Sequence, residues 1–413
     1  MDASLILSIV GVLVAVVAAV VALRVNSRVD ANKRTVEENR AHIAELREMI
    51  ASQKEEIAAQ QEEIASHELR AGVQPAPESG PAVVIYNPTK NADFDHLKSV
   101  LARAARDADL PDPIWLETTA DDPGFGQTRK ALDMGASVVI AAGGDGTVRN
   151  VGEVLTGTNT PLGLLPVGTG NILARNLDLP LSSTRRMAII ALTGKAASID
   201  VGWLTIPEQG EPAADELPDD ARIPGGEITL AKPGKHAFLV NAGIGFDAAI
   251  MAAADEESEL KSKIGWLAYV KAAIPYLLAP KMNARIRTGE SHHVDVEARS
   301  VMTLNCGQLL GGFVLDPHAQ PDDGWLDLAV LDTRRGLIGW ADLVRQVGLN
   351  GVGLKPITLP GVEQSGEIDV HRINGAQIEA QTIQPVQVDG DVLGFAREIS
   401  TSIEEAALLV RVG

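Results

Sequence analysis

A strand that ends in glycines and turns at once into a helix constrains this chain more than any other feature. Residues 138–150 read VVIAAGGDGTVRN. The β-branched run predicts a buried strand, and Gly143, Gly144 and Gly146 remove the side chains where it gives way to a helix. Such a turn lets backbone N–H groups approach a phosphate, and the helix start adds a favourable partial charge. Asp145, set among the glycines, would repel a bare phosphate. It suits a site where Mg²⁺ lies between the two charges, or one where it takes a proton from an incoming hydroxyl. Thr147 can cap the helix or bond a phosphate oxygen. Taken alone, the motif is equally a tight turn with a capping aspartate.

A second loop breaks the tie. Residues 161–171, PLGLLPVGTGN, predict another strand that ends in Gly168, Thr169, Gly170 and Asn171. Two such loops on neighbouring strands favour a phosphate cradle over two idle turns. The sequence contains neither GxxxxGK[ST] nor a GxGxxG between strand and helix, so a P-loop or a dinucleotide redox site is unsupported. Strands expected within 82–88, 113–119, 137–142 and 161–171 alternate with helical spacing at 93–108 and 127–134, which argues for an α/β domain with a parallel sheet. After Ile199 the pattern becomes short β-rich runs, at 198–205, 237–242, 294–305, 325–331, 367–373 and 377–388. These predict a second, antiparallel and sandwich-like domain. The expected organisation is an α/β domain over 81–197 and a β-rich domain over 198–413, the last strand free to return to the first domain. Residues 206–226 are acidic and Pro-rich and read as an insert between strands. Residues 261–278 predict a strongly apolar helix, suited to the core, to an acyl pocket or to contact with a bilayer.

Composition removes some function classes. A net charge of -19 and an aromatic content of 3% leave neither the electrostatic footprint nor the stacking surface of a nucleic-acid binder. A single cysteine, Cys306, excludes an intrachain disulfide and reads as an inert core thiol.

GGDGT followed some twenty residues later by LPVGTGN resembles the diacylglycerol kinase catalytic domain shared by bacterial lipid kinases and sphingosine kinases. Family-like blocks follow in order: Asn87-Pro88, IDVG at 199–202, NAGIGFDA at 241–248, PDDGWLDL at 321–328 and VDGD at 388–391. The resemblance implies ATP- and Mg²⁺-dependent phosphoryl transfer to a lipid hydroxyl, most directly diacylglycerol giving phosphatidic acid, in a cleft between the two domains. It implies that Asn87, the loop of Gly143, Gly144, Asp145, Gly146 and Thr147, and the loop of Gly168, Thr169, Gly170 and Asn171 hold the nucleotide. Asp145 and Asp391 are the implied catalytic residues, Asp247 the implied substrate contact, and Asp145, Asp322 and Asp323 the implied metal-binding carboxylates.

Several positions depart from the family pattern. Its closing block is usually Asp-Gly-Glu, whereas here the last position is Asp391, shorter by one methylene. Lys90 stands in a first loop that usually carries glycine, where it could meet a phosphate. Arg149-Asn150 replaces the usual Asn-Glu, with Arg149 either a phosphate contact or a solvated helix charge. Ala249 and Met251 occupy a region where the sphingoid-base branch tends to carry an acid, which favours a neutral glycerolipid. An NAD kinase, which shares GGDGT and a related fold, and a non-catalytic membrane tether are the alternatives.

The N-terminal part lies outside this resemblance. Residues 5–23 carry no charge and are long enough to span a bilayer, while Arg24, Arg28, Lys33 and Arg34 follow them. The positive-inside rule makes residues 1–24 a single-pass anchor in the cell membrane, N-terminus outside and kinase domain cytoplasmic. Residues 25–70 have no Gly or Pro and predict a helical stalk. Its heptad positions Val29, Val36, Ile43, Ile50, Ile57 and Ile64 suit a two-stranded coiled coil and hence a homodimer. The partner positions Asn32, Asn39, Leu46, Gln53, Gln60 and His67, of which only Leu46 is apolar, suit a solitary stalk equally. Residues 71–80 read as a linker.

Overall fold

The computed structural model describes residues 80–90, 92–212, 229–245, 281–289, 292–309, 314–333 and 366–413. The expected membrane span, the stalk, nearly all of the linker, most of the acidic insert, Asp247 and the helix at 261–278 lie outside the described residues. Among the described residues no helix is long and apolar enough to cross a membrane.

The α/β half is built on β1 (Ala82–Tyr86), β2 (Ile114–Glu117), β3 (Val138–Ala142) and β4 (Leu162–Leu164). All pair in parallel, in the order β2-β1-β3-β4. Every residue of β3 is buried, as expected of a central strand covered on both faces. Helix α1 (Phe94–Asp107) starts where the Asp93 carboxylate accepts the His96 N–H at 2.9 Å. Its buried residues Leu97, Leu101, Ala104 and Ala105 recur at helical spacing and seat one face on the sheet. Helices α2 (Phe125–Asp133), α3 (Asp145–Leu155), α4 (Ile172–Asn176) and α5 (Thr184–Thr193) complete the half.

The remaining strands are β5 (Lys195–Ile206), β6 (Gly234–Phe238), β7 (Asn241–Gly245), β8 (Met282–Thr288), β9 (His292–Ala298), β10 (Ser300–Leu304), β11 (Leu326–Thr333), β12 (Gly366–Ile373), β13 (Gly375–Val388) and β14 (Asp391–Val412). Their pairings are antiparallel, apart from one between β14 and β4, and they form a single hydrogen-bonded network with the α/β strands. The join is β14. It pairs with β13 over its first half, with β5 further on, and in parallel with β4 at Val410. The expected boundary at residue 198 falls inside β5.

Where β14 leaves one half for the other, its register slips between Glu404 and Leu408, and Ala406 has φ 49°. The bulge is held by a buried carboxylate. Asp200 accepts the Ala406 N–H at 2.7 Å and the Gly324 N–H at 2.8 Å. Two separate cores flank the join. One includes Ile85, Leu101, Ile140 and Leu162, the other Phe238, Ile244, Ile378 and Val388.

Candidate active site

The two glycine loops lie side by side at the C-terminal ends of β3 and β4, with Asn87 at the end of the neighbouring β1. Because β2 and β3 flank β1 on opposite sides, this crevice is the switch point where open α/β sheets bind ligands. The Val167 N–H donates to the Gly143 carbonyl at 3.1 Å, and the Asn87 N–H to the Ala142 carbonyl at 3.4 Å. The Asn87 side chain is committed to its own turn, accepting from the Thr89 N–H at 3.0 Å and the Thr89 hydroxyl at 2.7 Å.

The glycines are required by space. A Cβ on Gly143 would stand 2.4 Å from Thr147 Cβ, and one on Gly168 would stand 2.8 Å from the Gly144 Cα. The two loops thus touch backbone to backbone. The Lys90 ammonium reaches over this contact, 3.6 Å from where a Gly144 Cβ would be. Backbone N–H groups at the start of α3, bare glycine backbone and a lysine head together form a surface suited to an anionic oxygen cluster.

Asp145 opens α3, but its carboxylate turns to the other loop. One oxygen accepts the Asn171 N–H at 3.0 Å and the other the Ile172 N–H at 2.6 Å. Asn171 sits in the left-handed region at φ 50°, a conformation that asparagine tolerates better than most residues, and presents these two N–H groups together. Asp145 therefore staples the two loops. Burial raises its pKa, the two N–H bonds oppose that, and the nearby Asp391 charge raises it further.

Asp391 arrives from the other half of the molecule. Residues 388–391 form a two-residue hairpin in which Asp389 and Gly390 have φ 48° and 86°, and Val388 pairs with Asp391. Two left-handed central residues suit a type I′ turn, for which Asp-Gly is a preferred pair. Asp389 is buried, and its carboxylate accepts three backbone N–H groups, from Leu239, Val240 and Asn241, at 2.8 to 2.9 Å. Burial pushes its pKa up to about 6 against those bonds. Gln387 extends the brace, donating to Asn241 Oδ1 at 2.7 Å and accepting the Gly390 N–H at 2.8 Å. The hairpin tip is thereby fixed to the turn between β6 and β7.

From this tip the Asp391 carboxylate, 48% exposed, stands against the first turn of α3. A Cβ on Gly146 would lie 2.6 Å from one of its oxygens. Arg149, on the next turn, is buried and donates to Asp391 at 3.0 Å. It is therefore not a solvated helix charge.

The structure thus gathers Asn87, both glycine loops, Asp145 and Asp391 into one place. Asp322 and Asp323 belong to a turn before β11. Asp323 bonds the Trp325 N–H at 3.1 Å and pairs with Arg372 at 2.9 Å, while burial and the charges of Asp200 and Asp323 raise the pKa of Asp322. Among the described residues, no group of three or more His, Cys, Asp or Glu is placed to hold a metal ion. Sequence reasoning missed Asp389, Asp200 and the partner of Arg149. The Val-Asp-Gly-Asp string is a hairpin signal that could have exposed the first. Cys306 is fully buried, its thiol pushed up by burial and bonded to the Leu239 carbonyl.

Residues 81–204 match the family model of the diacylglycerol kinase catalytic domain. A Pseudomonas fluorescens protein named "Probable lipid kinase YegS-like" is 27% identical over 62% of this chain and 76% of its own length. A Mycobacterium tuberculosis diacylglycerol kinase is 28% identical over 50% of this chain and 60% of its own. In fold, a diacylglycerol kinase from Bacillus anthracis superimposes with a TM-score of 0.53 at 19% identity, covering 82% of this chain and 98% of that one. The resemblance carried by the two glycine loops holds: residues 81–204 match the diacylglycerol kinase catalytic domain, and the chain is a phosphotransferase with an alcohol acceptor.

Proposed function

We propose that this protein is an ATP-dependent lipid kinase that transfers the γ-phosphoryl group to the hydroxyl of diacylglycerol, giving phosphatidic acid. The observation that carries the reading is the Asp391 carboxylate, half-exposed, held by Arg149 and by no backbone N–H among the described residues, standing over the helix start of the glycine loop.

The residues present fit a nucleotide. The N–H groups at the start of α3, the glycines of both loops and Lys90 would hold its phosphates, with no Cβ in the way. Asp391 is placed to take the acceptor's proton as the hydroxyl oxygen forms its bond to phosphorus. The bond from that phosphorus to the bridging oxygen breaks at the same centre, and ADP carries off the electron pair. Arrangement and charge stabilisation supply most of the catalysis in such transfers. Mg²⁺ neutralises phosphate charge when bound, and it usually keeps substrate phosphates and waters as ligands beside one or two carboxylates. Asp391 is the half-exposed carboxylate beside the glycine loop that would face such a cation, while both Asp145 oxygens already accept backbone N–H groups.

The apolar run at 5–23 would keep the enzyme beside a substrate that resides in the bilayer, raising its effective concentration. The test is phosphotransfer from labelled ATP, with Mg²⁺, by the purified full chain into diacylglycerol, monoacylglycerol, sphingosine and NAD offered separately, the products identified by mass. Label in phosphatidic acid supports the reading. Label in NADP alone would replace it with a nucleotide kinase, and ATP turnover with none of these acceptors would reject the glycerolipid.

A further inference from the structure

Arg149 and Asp391 lie far apart in the chain, and the fold brings them into contact. They are separated by 242 residues, yet Arg149 Nη2 donates to Asp391 Oδ2 at 3.0 Å. Arg149 lies in α3 with its side chain only 9% exposed. Its other ionic neighbour is Glu153, one turn on, at 3.9 Å. Glu153 is itself anchored, accepting the Ala237 N–H of β6 at 3.1 Å. The guanidinium is thus held by packing and by an anchored carboxylate, so it presents Nη2 to Asp391 from a fixed position.

The same carboxylate oxygen also lies against bare backbone. Gly146 lies three residues before Arg149 on the same helix face, and a Cβ there would come within 2.6 Å of Asp391 Oδ2. A glycine that admits the acid and an arginine that grips it therefore occupy adjacent turns. The grip has a clear use. An aspartate reaches less far than a glutamate, and a carboxylate that is half-exposed has no other fixed direction. Solvent at the half-exposed Asp391 moderates the Coulombic gain of the pair. A misplacement of about 1 Å at a reacting group, by contrast, costs on the order of a hundredfold in rate.

We propose that Arg149 is the positioning residue for Asp391, holding the shortened acid over the first turn of α3 in the orientation that accepts the substrate proton. Arg149 itself touches neither nucleotide nor acceptor. The proposal rests on the reading of Asp391 as the base, and its test separates the two.

The test is a double-mutant cycle on the full chain, made of Arg149→Met, Asp391→Asn and the double variant, with kcat and the KM for ATP measured for each on diacylglycerol. Arg149→Met keeps the buried stem's bulk and removes the guanidinium. It should lower kcat roughly 10- to 100-fold while the KM for ATP stays within about threefold. In the Asp391→Asn background the same change should cost nothing further, because the group it orients is already gone. Arg149→Lys should recover part of the loss, since an ammonium restores the charge but not the planar fork. Near-ultraviolet circular dichroism of the unligated proteins checks that each retains the fold. An equal loss in both backgrounds would overturn the proposal and make Arg149 structural. A raised KM for ATP with kcat unchanged would overturn it in favour of a phosphate contact. If Asp391→Asn alone turns over like the parent, the base assignment fails, and the positioning role falls with it.

Discussion

The glycine loops of the α/β half and the hairpin tip of the β-rich half meet at one site but are made of different material. The loops offer backbone. Their glycines touch through Gly144 and Gly168, and their one carboxylate, Asp145, is already bound to the N–H groups of Asn171 and Ile172. The hairpin offers a side chain. Its first carboxylate, Asp389, accepts three N–H groups and fixes the tip, which leaves Asp391 with no backbone bond and its face toward the cleft. The difference teaches how to sort carboxylates in such a site. Those whose lone pairs are filled by backbone N–H groups hold structure, as Asp200 also does at the bulge in β14. The one whose partner is a side chain on a neighbouring helix is available for chemistry.

The sharpest way to break this division is to remove each charge in turn. Asp391→Asn should reduce kcat about 10²- to 10⁴-fold, the range of a lost general base, with the KM for ATP and the melting temperature little changed. Asp145→Asn should behave differently. It exchanges one acceptor for a donor that faces an N–H, so the loops should loosen, the KM for ATP should rise and stability should fall by about 1.5–3 kcal/mol. Steady-state kinetics and thermal melts on both variants decide the matter. A pure kcat loss at Asp145 with an unchanged melt would merge the two roles.

A smaller change tests whether the loops work as backbone. Gly168→Ala places a methyl 2.8 Å from the Gly144 Cα, where no flexible side chain can yield. Pushing the loops apart should cost about 1–3 kcal/mol, seen mainly as weaker ATP binding by calorimetry. Gly157→Ala is a control of a different kind. A Cβ there meets open space, but φ is 73°, so any loss should appear in stability without touching ATP affinity.

The same contrast explains what could be read from the sequence. The glycine loops were legible because a backbone surface is written as missing side chains, and the strands before them as β-branched runs. The β-rich runs also found their strands, though 237–242 and 294–305 each proved to be two strands meeting at a turn, β6 with β7 and β9 with β10. The partner of Arg149 was not legible, since nothing local in either segment records a contact across 242 residues. Nor was the staple at Asp145. A carboxylate among glycines looks the same whether it faces a cation or the N–H groups of a second loop, and only the left-handed Asn171 decides between them. β14 escaped the list of β-rich runs because its bulge and its half-exposed first turn interrupt any simple alternation.

The hairpin's own brace gives a pH prediction. The Asp389 carboxyl, pushed up to about 6 by burial, ordinarily titrates at 3.8. Between those values the unfolded chain has released the proton and the folded chain still holds it. The folded state therefore binds more protons, and stability falls as pH rises through that window. The stability advantage of the parent over Asp389→Asn should shrink by roughly 2 kcal/mol from pH 4 to pH 7, read by urea denaturation at each pH. Asp327, also raised to about 6 by burial, adds a slope of the same sign that survives in the variant. A difference that does not vary with pH would mean that the three N–H bonds keep Asp389 ionised throughout, which would bring it closer in kind to Asp391.

The smallest expected effect falls on Lys90, a side chain that the α/β half extends over its backbone cradle. Lys90 is exposed, and its ammonium lies above Gly144 without a fixed geometry imposed by burial. An exposed charge meeting a phosphate is screened by salt and contributes at most about 1 kcal/mol. Lys90→Met should therefore raise the KM for ATP about two- to fivefold with kcat nearly unchanged. The deficit should shrink as salt is raised from 50 to 300 mM, because the parent loses its advantage to screening. A large kcat loss that salt does not touch would place Lys90 at the transferring group. The α/β half would then supply side-chain chemistry after all, and the contrast between a backbone cradle and a side-chain hairpin would no longer describe the site.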